Sequence, residues 1–240
     1  MFNHNTSTKK DRTGVGIIIS PRLSKAWKEA GGLDPIHTKT GEKFEGRFIA
    51  ITLKLPEYDS RCRKIKGKWQ NLVIASVYHP YDDTYSAFNS ELDNMLSNVP
   101  KGLDIIMGGD MNAQIGRSKT AEANAEAVGQ DEDNDYDILG PFSLDTRNDK
   151  GTDLLEVYQS NNLCIMNTFF DDPTHVTWVS FNEEKTPCML DMMAVSKSIA
   201  KRVTNCKVVE DGIRSDHSAL CMMLSNCSVD HVIFLFQGVK

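Results

Sequence analysis

Nothing in this sequence equips it for an oxidising compartment, for a membrane, or for coating nucleic acid. Its six cysteines (Cys62, Cys164, Cys188, Cys206, Cys221 and Cys227) are scattered, with no C-x-x-C and no tight Cys/His spacing. That excludes a zinc ribbon and reads as reduced, partly buried thiols in an intracellular protein. The start, Met1 to Thr6, lacks the apolar core of a signal peptide, and no stretch reaches the length of a membrane span. Positive charge is not in excess either: 27 Lys and Arg stand against 33 Asp and Glu, for a formal charge of -6. This argues against a general nucleic-acid coat but not against a nuclease, whose cleft alone must attract phosphate. Internal repeats are absent, and low complexity is confined to one acidic segment. What remains is a soluble intracellular chain long enough to bury a sizeable core.

The apolar pattern alternates between strand and helix. Gly14 to Ser20, Arg47 to Leu55 and Trp69 to Tyr78 read as strands, rich in β-branched residues between turn formers. The polar connection Glu57 to Gly67 makes the last two a hairpin. Asp82, Asp83 or Thr84 can cap a helix that carries Tyr85, Phe88, Leu92, Met95 and Val99 on one face and stops at Pro100. Leu103 to Met107 is a short buried strand. Ser118 to Asp145, rich in Ala, Asn, Asp and Glu, is expected to be a long solvated loop. A second helix is expected from about Asp149 to Asn161. Strands should follow at Leu163 to Met166, Val176 to Val179, Met189 to Val195, Val203 to Val209 and Ala219 to Leu224. Many strands and two clear helices imply a sheet-rich α/β sandwich. Residues 1–13 are expected to be a disordered tail, 14–225 the folded domain, and 226–240 a C-terminal tail or one extra strand. Within that last stretch His231 to Val239 is apolar enough to pair, and is an aggregation hazard if it finds no partner.

Chemistry concentrates at strand ends. Gly108-Gly109-Asp110-Met111-Asn112 follows a buried strand, and i, i+2 residues of an extended segment share one side, so Asp110 and Asn112 can face one cleft. An ordinary Asx turn explains the same spacing. Asp216-His217 precedes another apolar strand, where a carboxylate can take a hard cation while the imidazole faces a phosphate; a Ser-Asp turn with an exposed histidine is the alternative. Asp191 interrupts the apolar run Met189 to Val195. A buried carboxylate needs a partner, either His217⁺ or backbone N–H groups at a bulge. Tyr78, ahead of His79-Pro80, can donate its hydroxyl to a phosphate or pack in the core. Trp178 can stack on a base or sugar or simply fill space. Arg61, Arg63, Lys64, Lys66 and Lys68 form a basic cluster, but it lies at the start of the strand that Tyr78 ends. At about 3.3 Å per residue it is roughly 30 Å away, as a solvated hairpin tip or at most a remote phosphate contact.

The order of these elements is more informative than any one of them. Tyr78-His79-Pro80, Gly109-Asp110-Met111-Asn112-Ala113, Thr177-Trp178, Leu190-Asp191 and Ser215-Asp216-His217 together resemble the endonuclease/exonuclease/phosphatase superfamily, which includes deoxyribonuclease I. Within it the chain is most similar to LINE-type retrotransposon endonucleases and craniofacial development protein 2-like chains. Asn148 to Leu155, Asn161-Asn162-Leu163 and Asn167 to Phe170 look like their intervening helix and strand. The resemblance covers roughly Gly14 to Leu224. It implies a four-layer sandwich, two mixed β-sheets packed face to face with helices outside, and a Mg²⁺-dependent phosphodiesterase, Mn²⁺ being the alternative ion. The implied metal ligand is Asp216. The implied catalytic groups are His217 oriented by Asp191, with Asp110, Asn112 and Tyr78. Trp178, Asn112 and Tyr78 are the implied substrate contacts. The implied partner is DNA or another phosphate ester, with no membrane, in the nucleus if the chain derives from a retroelement. Family members begin with strands carrying an Asn and a metal-binding Glu. Neither Asn3, Asn5 and Asp11 nor Glu42 and Glu45 stands in the matching place, so the expectation is a domain lacking its first strands, with impaired activity. A phosphatase or lipid phosphodiesterase on the same scaffold, or a non-catalytic remnant, are the alternative readings.

Overall fold

Two apolar cores, one on each face of a central sheet, organise the chain. A computed structural model describes residues 2–5, 14–38, 43–59, 63–116, 138–144, 146–179, 186–209, 216–225 and 232–234. Most of the acidic segment expected to be a loop lies outside these residues, as do Arg61, Cys62, Ser215 and Cys227. The elements in chain order are β1 (Phe2–Asn5), β2 (Gly14–Ile17), α1 (Pro21–Glu29), β3 (Ile36–His37), β4 (Phe48–Tyr58), β5 (Lys64–Tyr78), α2 (Tyr85–Ser97) and β6 (Asp104–Asp110). They continue with α3 (Asp149–Ser160), β7 (Leu163–Ile165), β8 (Trp178–Val179), β9 (Pro187–Cys188), β10 (Asp191–Ser196), α4 (Lys197–Ala200), β11 (Val203–Val209), β12 (Ala219–Leu224) and β13 (Val232–Phe234).

The central sheet is six-stranded and mixed, in the order β3-β4-β5-β6-β10-β7. Successive residues of β4 feed alternate cores, as the two-residue period of a strand requires. Phe48 and Ala50 join the core under α2 and α3, built around Phe88, Leu92, Leu154 and Tyr158. Ile49, Ile51, Leu53 and Leu55 join the opposite core, shared with Val15, Ile17, Met193, Leu220 and Met222. On that side the second β layer is divided between the β1-β2 pair and the β11-β12-β13 sheet. The α/β sandwich of packed sheets agrees with the expectation. So do the β4-β5 hairpin, the helix ending before Pro100 and the helix beginning at Asp149.

Two findings depart from the sequence reading, and a third takes one of the two options it left for the C-terminal stretch. Helix α1 was not anticipated, because only Ala26 on it is buried and its apolar stripe is short. Its start signal was nonetheless present: Ser20 accepts a hydrogen bond from Leu23 N at 3.3 Å, and Pro21 occupies the first turn. Residues 2–5, placed in a disordered tail, form β1, antiparallel to β2; the cause is backbone pairing with a later strand, which no local pattern reports. Residues 232–234 of the apolar C-terminal stretch do find a partner, β12.

The parallel β5-β6 pair, joined through α2, explains Gly109. A Cβ there would lie 1.9 Å from the carbonyl oxygen of Val77. The close approach that this glycine permits is therefore that of the neighbouring strand. Gly109→Ala is expected to destabilise the fold by about 3 kcal/mol or more through forced strand separation, read as a lowered urea midpoint. An unchanged midpoint would show that the two strands do not approach so closely.

Candidate active site

Sheet register gathers the acidic groups. Tyr78 is the cross-strand partner of Asp110 in the parallel pair, and Asp110 is the partner of Asp191 in the antiparallel pair. Three side chains from distant parts of the sequence thus stand in one row at the end of the sheet. The segment 216–218 meets this row from the second β layer. Trp178 bridges His217, and Ser218 N donates to Thr177 O at 2.8 Å.

His217 is the hub. Its Nδ1 lies 2.8 Å from Asp191 Oδ2, and its Nε2 lies 3.9 Å from Asp110 Oδ2. A carboxylate can only accept, so Nδ1–H donates and Nε2 faces the Asp110 side. Asp191 is completely buried. Its other oxygen, Oδ1, finds no hydrogen-bond partner among the described residues. Its position is fixed by two buried residues. Thr177 Oγ1 accepts from the N–H groups of Leu190 and Asp191 at 2.9 and 3.0 Å. Asn167 donates to Asp191 O at 3.3 Å and accepts from Met193 N at 3.1 Å.

The electrostatics follow from crowding in a dry place. Burial, reinforced by Asp191 and Asp216, pushes the Asp110 carboxyl up to about 7, against the pull of His217 and the Asn112 N–H. Burial likewise raises Asp191, opposed by its hydrogen bond to His217. Burial works against charge on His217, yet the hydrogen bond to Asp191 and the fields of Asp191, Asp110 and Asp216 outweigh it and raise its pKa. Burial and Asp110 raise Tyr78, against Arg47. Asp110, Asp191 and His217 offer ligand atoms within 4.8 Å of one another.

Asp110 and Asn112 turn out to form the Asx turn and a site wall at once. Asn112 N donates to Asp110 Oδ1 at 3.0 Å, and Asn112 Nδ2 donates to His79 O at 2.8 Å. Asn112 adopts φ 47°, a left-handed conformation that asparagine tolerates better than most residues. Of the seven residues singled out for chemistry, Tyr78, Asp110, Asn112, Trp178, Asp191 and His217 converge by contact or register, and Asp216 adjoins His217 in the chain. Trp178 is half-buried, with its ring centroid 6.3 Å from that of His217.

Arg47 was missed. It stacks over the Tyr78 ring at 5.0 Å, and its Nη1 donates to Tyr78 O at 3.3 Å. At the start of an apolar strand it read as flanking charge, and only the β4-β5 pairing shows what it faces. His79 was noted but its role was not. It is fully buried, stacks on Tyr85 with centroids 3.7 Å apart, and bonds Asn89 Oδ1 through Nε2 at 2.8 Å. Its N–H also donates to Asp110 O at 2.8 Å, so it props the turn that carries Asp110.

A buried Asp–His pair thus stands beside Asp110 at one end of the central sheet, and comparison with known proteins places the chain in a family. Residues 72–221, more than half of the chain, match the family described as Endonuclease-reverse transcriptase. The chain belongs to that family, within the deoxyribonuclease I-like superfamily. It is 30% identical over 175 residues to craniofacial development protein 2 of Bos taurus, covering 70% of this chain and 23% of that protein. The same protein of Tragulus javanicus is 26% identical over 175 residues, covering 70% of this chain and 24% of its own length. The chain therefore spans about a quarter of these curated relatives. Among solved structures, the endonuclease domain of TRAS1, a telomere-specific non-LTR retrotransposon, superposes with a TM-score of 0.49 at 15% identity, over 81% of this chain and 69% of that one. No helix among the described residues is long and apolar enough to cross a membrane.

The buried imidazole of His79 generates a pH prediction. Burial lowers its pKa to about 4 from the ordinary 6.5, against its bonds to Asn89 and Pro80. The unfolded chain binds the extra proton first, so this contribution is full above pH 6.5 and is lost as pH falls toward 4. Wild-type unfolding free energy should drop by up to about 3 kcal/mol across that window at 1.36 kcal/mol per pKa unit, and His79→Gln should flatten this part of the curve. Parallel curves for the two proteins would refute it.

Proposed function

We propose that this chain is a divalent-metal-dependent phosphodiesterase domain acting on DNA, of the retroelement endonuclease type. The observation that carries the reading is the 2.8 Å Asp191–His217 pair with Asp110 on the far side of the ring, in a member of the Endonuclease-reverse transcriptase family. Hydrolysis of a phosphodiester needs a group to take a proton from water, a group to give one to the leaving oxygen, and positive charge on the phosphate.

In this reading Asp191 fixes the His217 tautomer and sustains its positive charge, so that Nε2–H addresses a phosphate oxygen. Asp110, raised to about 7 and hydrogen-bonded by Asn112, is poised to hold or release a proton near neutrality. Tyr78, kept protonated by burial and by Asp110, donates its hydroxyl to the phosphate, with Arg47 stacked behind it. Trp178 and Asn112 line the substrate side.

The donor chemistry fits a hard cation. Asp110, Asp191 and His217 offer carboxylate oxygens and an imidazole nitrogen within 4.8 Å of one another, with no sulfur among them. Asp216, with Asp110, would hold Mg²⁺ or Mn²⁺, which bound there supplies Lewis-acid stabilisation of the phosphate. No glutamate belongs to the cluster among the described residues, and this supports weakened metal affinity and reduced turnover relative to a complete centre.

The test is nicking of supercoiled plasmid with and without Mg²⁺. His217→Ala is expected to lower the rate by about 10²- to 10⁴-fold. Asp216→Ala should shift the Mg²⁺ requirement upward, with the loss partly recovered at high metal. Nicking that survives both substitutions, or that chelator leaves untouched, would sink the proposal.

A further inference from the structure

Lys64, one residue of the basic hairpin cluster, lines a groove that has no part in the site above. At the far end of β4 and β5, against α1, a groove of about 240 Å³ is lined by Arg22, Lys25, Glu29, Lys54, Lys64 and Trp69. Trp69 is 43% exposed. Lys54 Nζ and Lys64 Nζ lie over its ring, 5.6 and 5.0 Å from the centroid. Trp69 and Tyr78 are nine residue steps apart along β5, roughly 30 Å of extended chain, so the groove and the candidate active site occupy opposite ends of the sheet.

Backbone geometry builds this juxtaposition. Tyr58 pairs with Lys64 and Pro56 with Trp69, so the register slips between the two pairs by three residues of β5. Gly67 lies in the slip at φ +78°, a conformation strained for side-chain-bearing residues. The slip brings Lys64 over Trp69. A second feature points the same way: Arg22 and Lys25 sit in the first turns of α1, where no acidic residue offsets the positive end of the helix dipole. Lys25 has Glu29 at 3.8 Å, the single carboxylate of the groove lining. Cations at that end cost stability, so their local concentration in a chain of net charge -6 is better matched to an external anion than to the fold itself.

We infer that this groove binds single-stranded nucleic acid, with an unpaired base stacked on Trp69 and the flanking phosphates held by Lys54, Lys64 and Arg22. The lysines over the Trp69 ring stand on long flexible stems, so a stacking base displaces them from the ring face and they turn to its flanking phosphates. A duplex offers the charge without a free base face, and an acidic peptide offers it without a planar partner. The inference does not rest on the cleavage reading, because binding at the groove requires neither metal nor turnover.

The test is fluorescence anisotropy of a labelled 15-nucleotide oligo-dT with the full chain, in EDTA, over a series of salt concentrations. Trp69→Ala is expected to weaken binding about tenfold, and Trp69→Phe to retain most of the affinity. Lys54→Gln/Lys64→Gln should reduce the slope of log affinity against log salt by about 1.4, or 0.7 per lost phosphate contact. Thermal unfolding of each variant checks its fold. If Trp69→Ala does not fold, the Lys54→Gln/Lys64→Gln variant decides, and an unchanged salt slope overturns the proposal. It is equally overturned if folded Trp69→Ala binds like the wild type, or if duplex DNA or polyglutamate competes as strongly as the single strand.

Discussion

Everything at the candidate site depends on one row of cross-strand neighbours, Tyr78 beside Asp110 beside Asp191. Setting two carboxylates side by side in a buried place is unfavourable, and neither would ionise comfortably alone. His217 makes the row tolerable by bonding one and facing the other. The row in turn needs β5 and β6 parallel at close range, which Gly109 permits, and β10 antiparallel on the other side, which Thr177 and Asn167 pin. A failure of register by one residue would send Asp110 or Asp191 into a core instead of the cleft.

The two cores show why this arrangement is rigid. Phe88, Leu92, Leu154 and Tyr158 hold α2 and α3 against one face, and the second β layer covers the other. His79 joins core to site: its ring is packed among Tyr85, Phe88 and Asn89, while its backbone holds the Asp110 turn. Arg47 plays a comparable part at the Tyr78 end. Both belong to the support of the site rather than to its first contacts with substrate, and both are the kind of residue whose role is invisible until packing is known.

The opposite end of the sheet has a different character. There the β4-β5 hairpin slips register, and cations collect around an exposed tryptophan. The candidate-site end is acidic and buried; the hairpin end is basic and more exposed. A chain of overall negative charge thus separates its acidic and basic groups to opposite ends of one sheet.

The sequence by itself determined most of the element types, the two strand-end motifs and their order, because turn glycines, apolar periodicity and short polar clusters are local properties of a chain. It determined that Asp191 must have a partner, since an aspartate inside an apolar run is costly alone. It left open whether Asp110-Met111-Asn112 was a turn or a site; the fold shows the turn, with Asp110 in one cross-strand row with Tyr78 and Asp191. The short helix after Ser20 and the strand at Phe2–Asn5 escaped it, the first for want of a long apolar stripe and the second because its partner lies beyond any local pattern. Only tertiary structure decided that His217 is the partner of Asp191, that Thr177 and Asn167 hold Asp191 in place, and that Arg47 lies on Tyr78. The reason is that register and layer packing are cooperative outcomes of many apolar contacts. They bring together residues as far apart as Arg47 and Tyr78, or Asp110 and His217, whose separation along the chain carries no signal of their meeting.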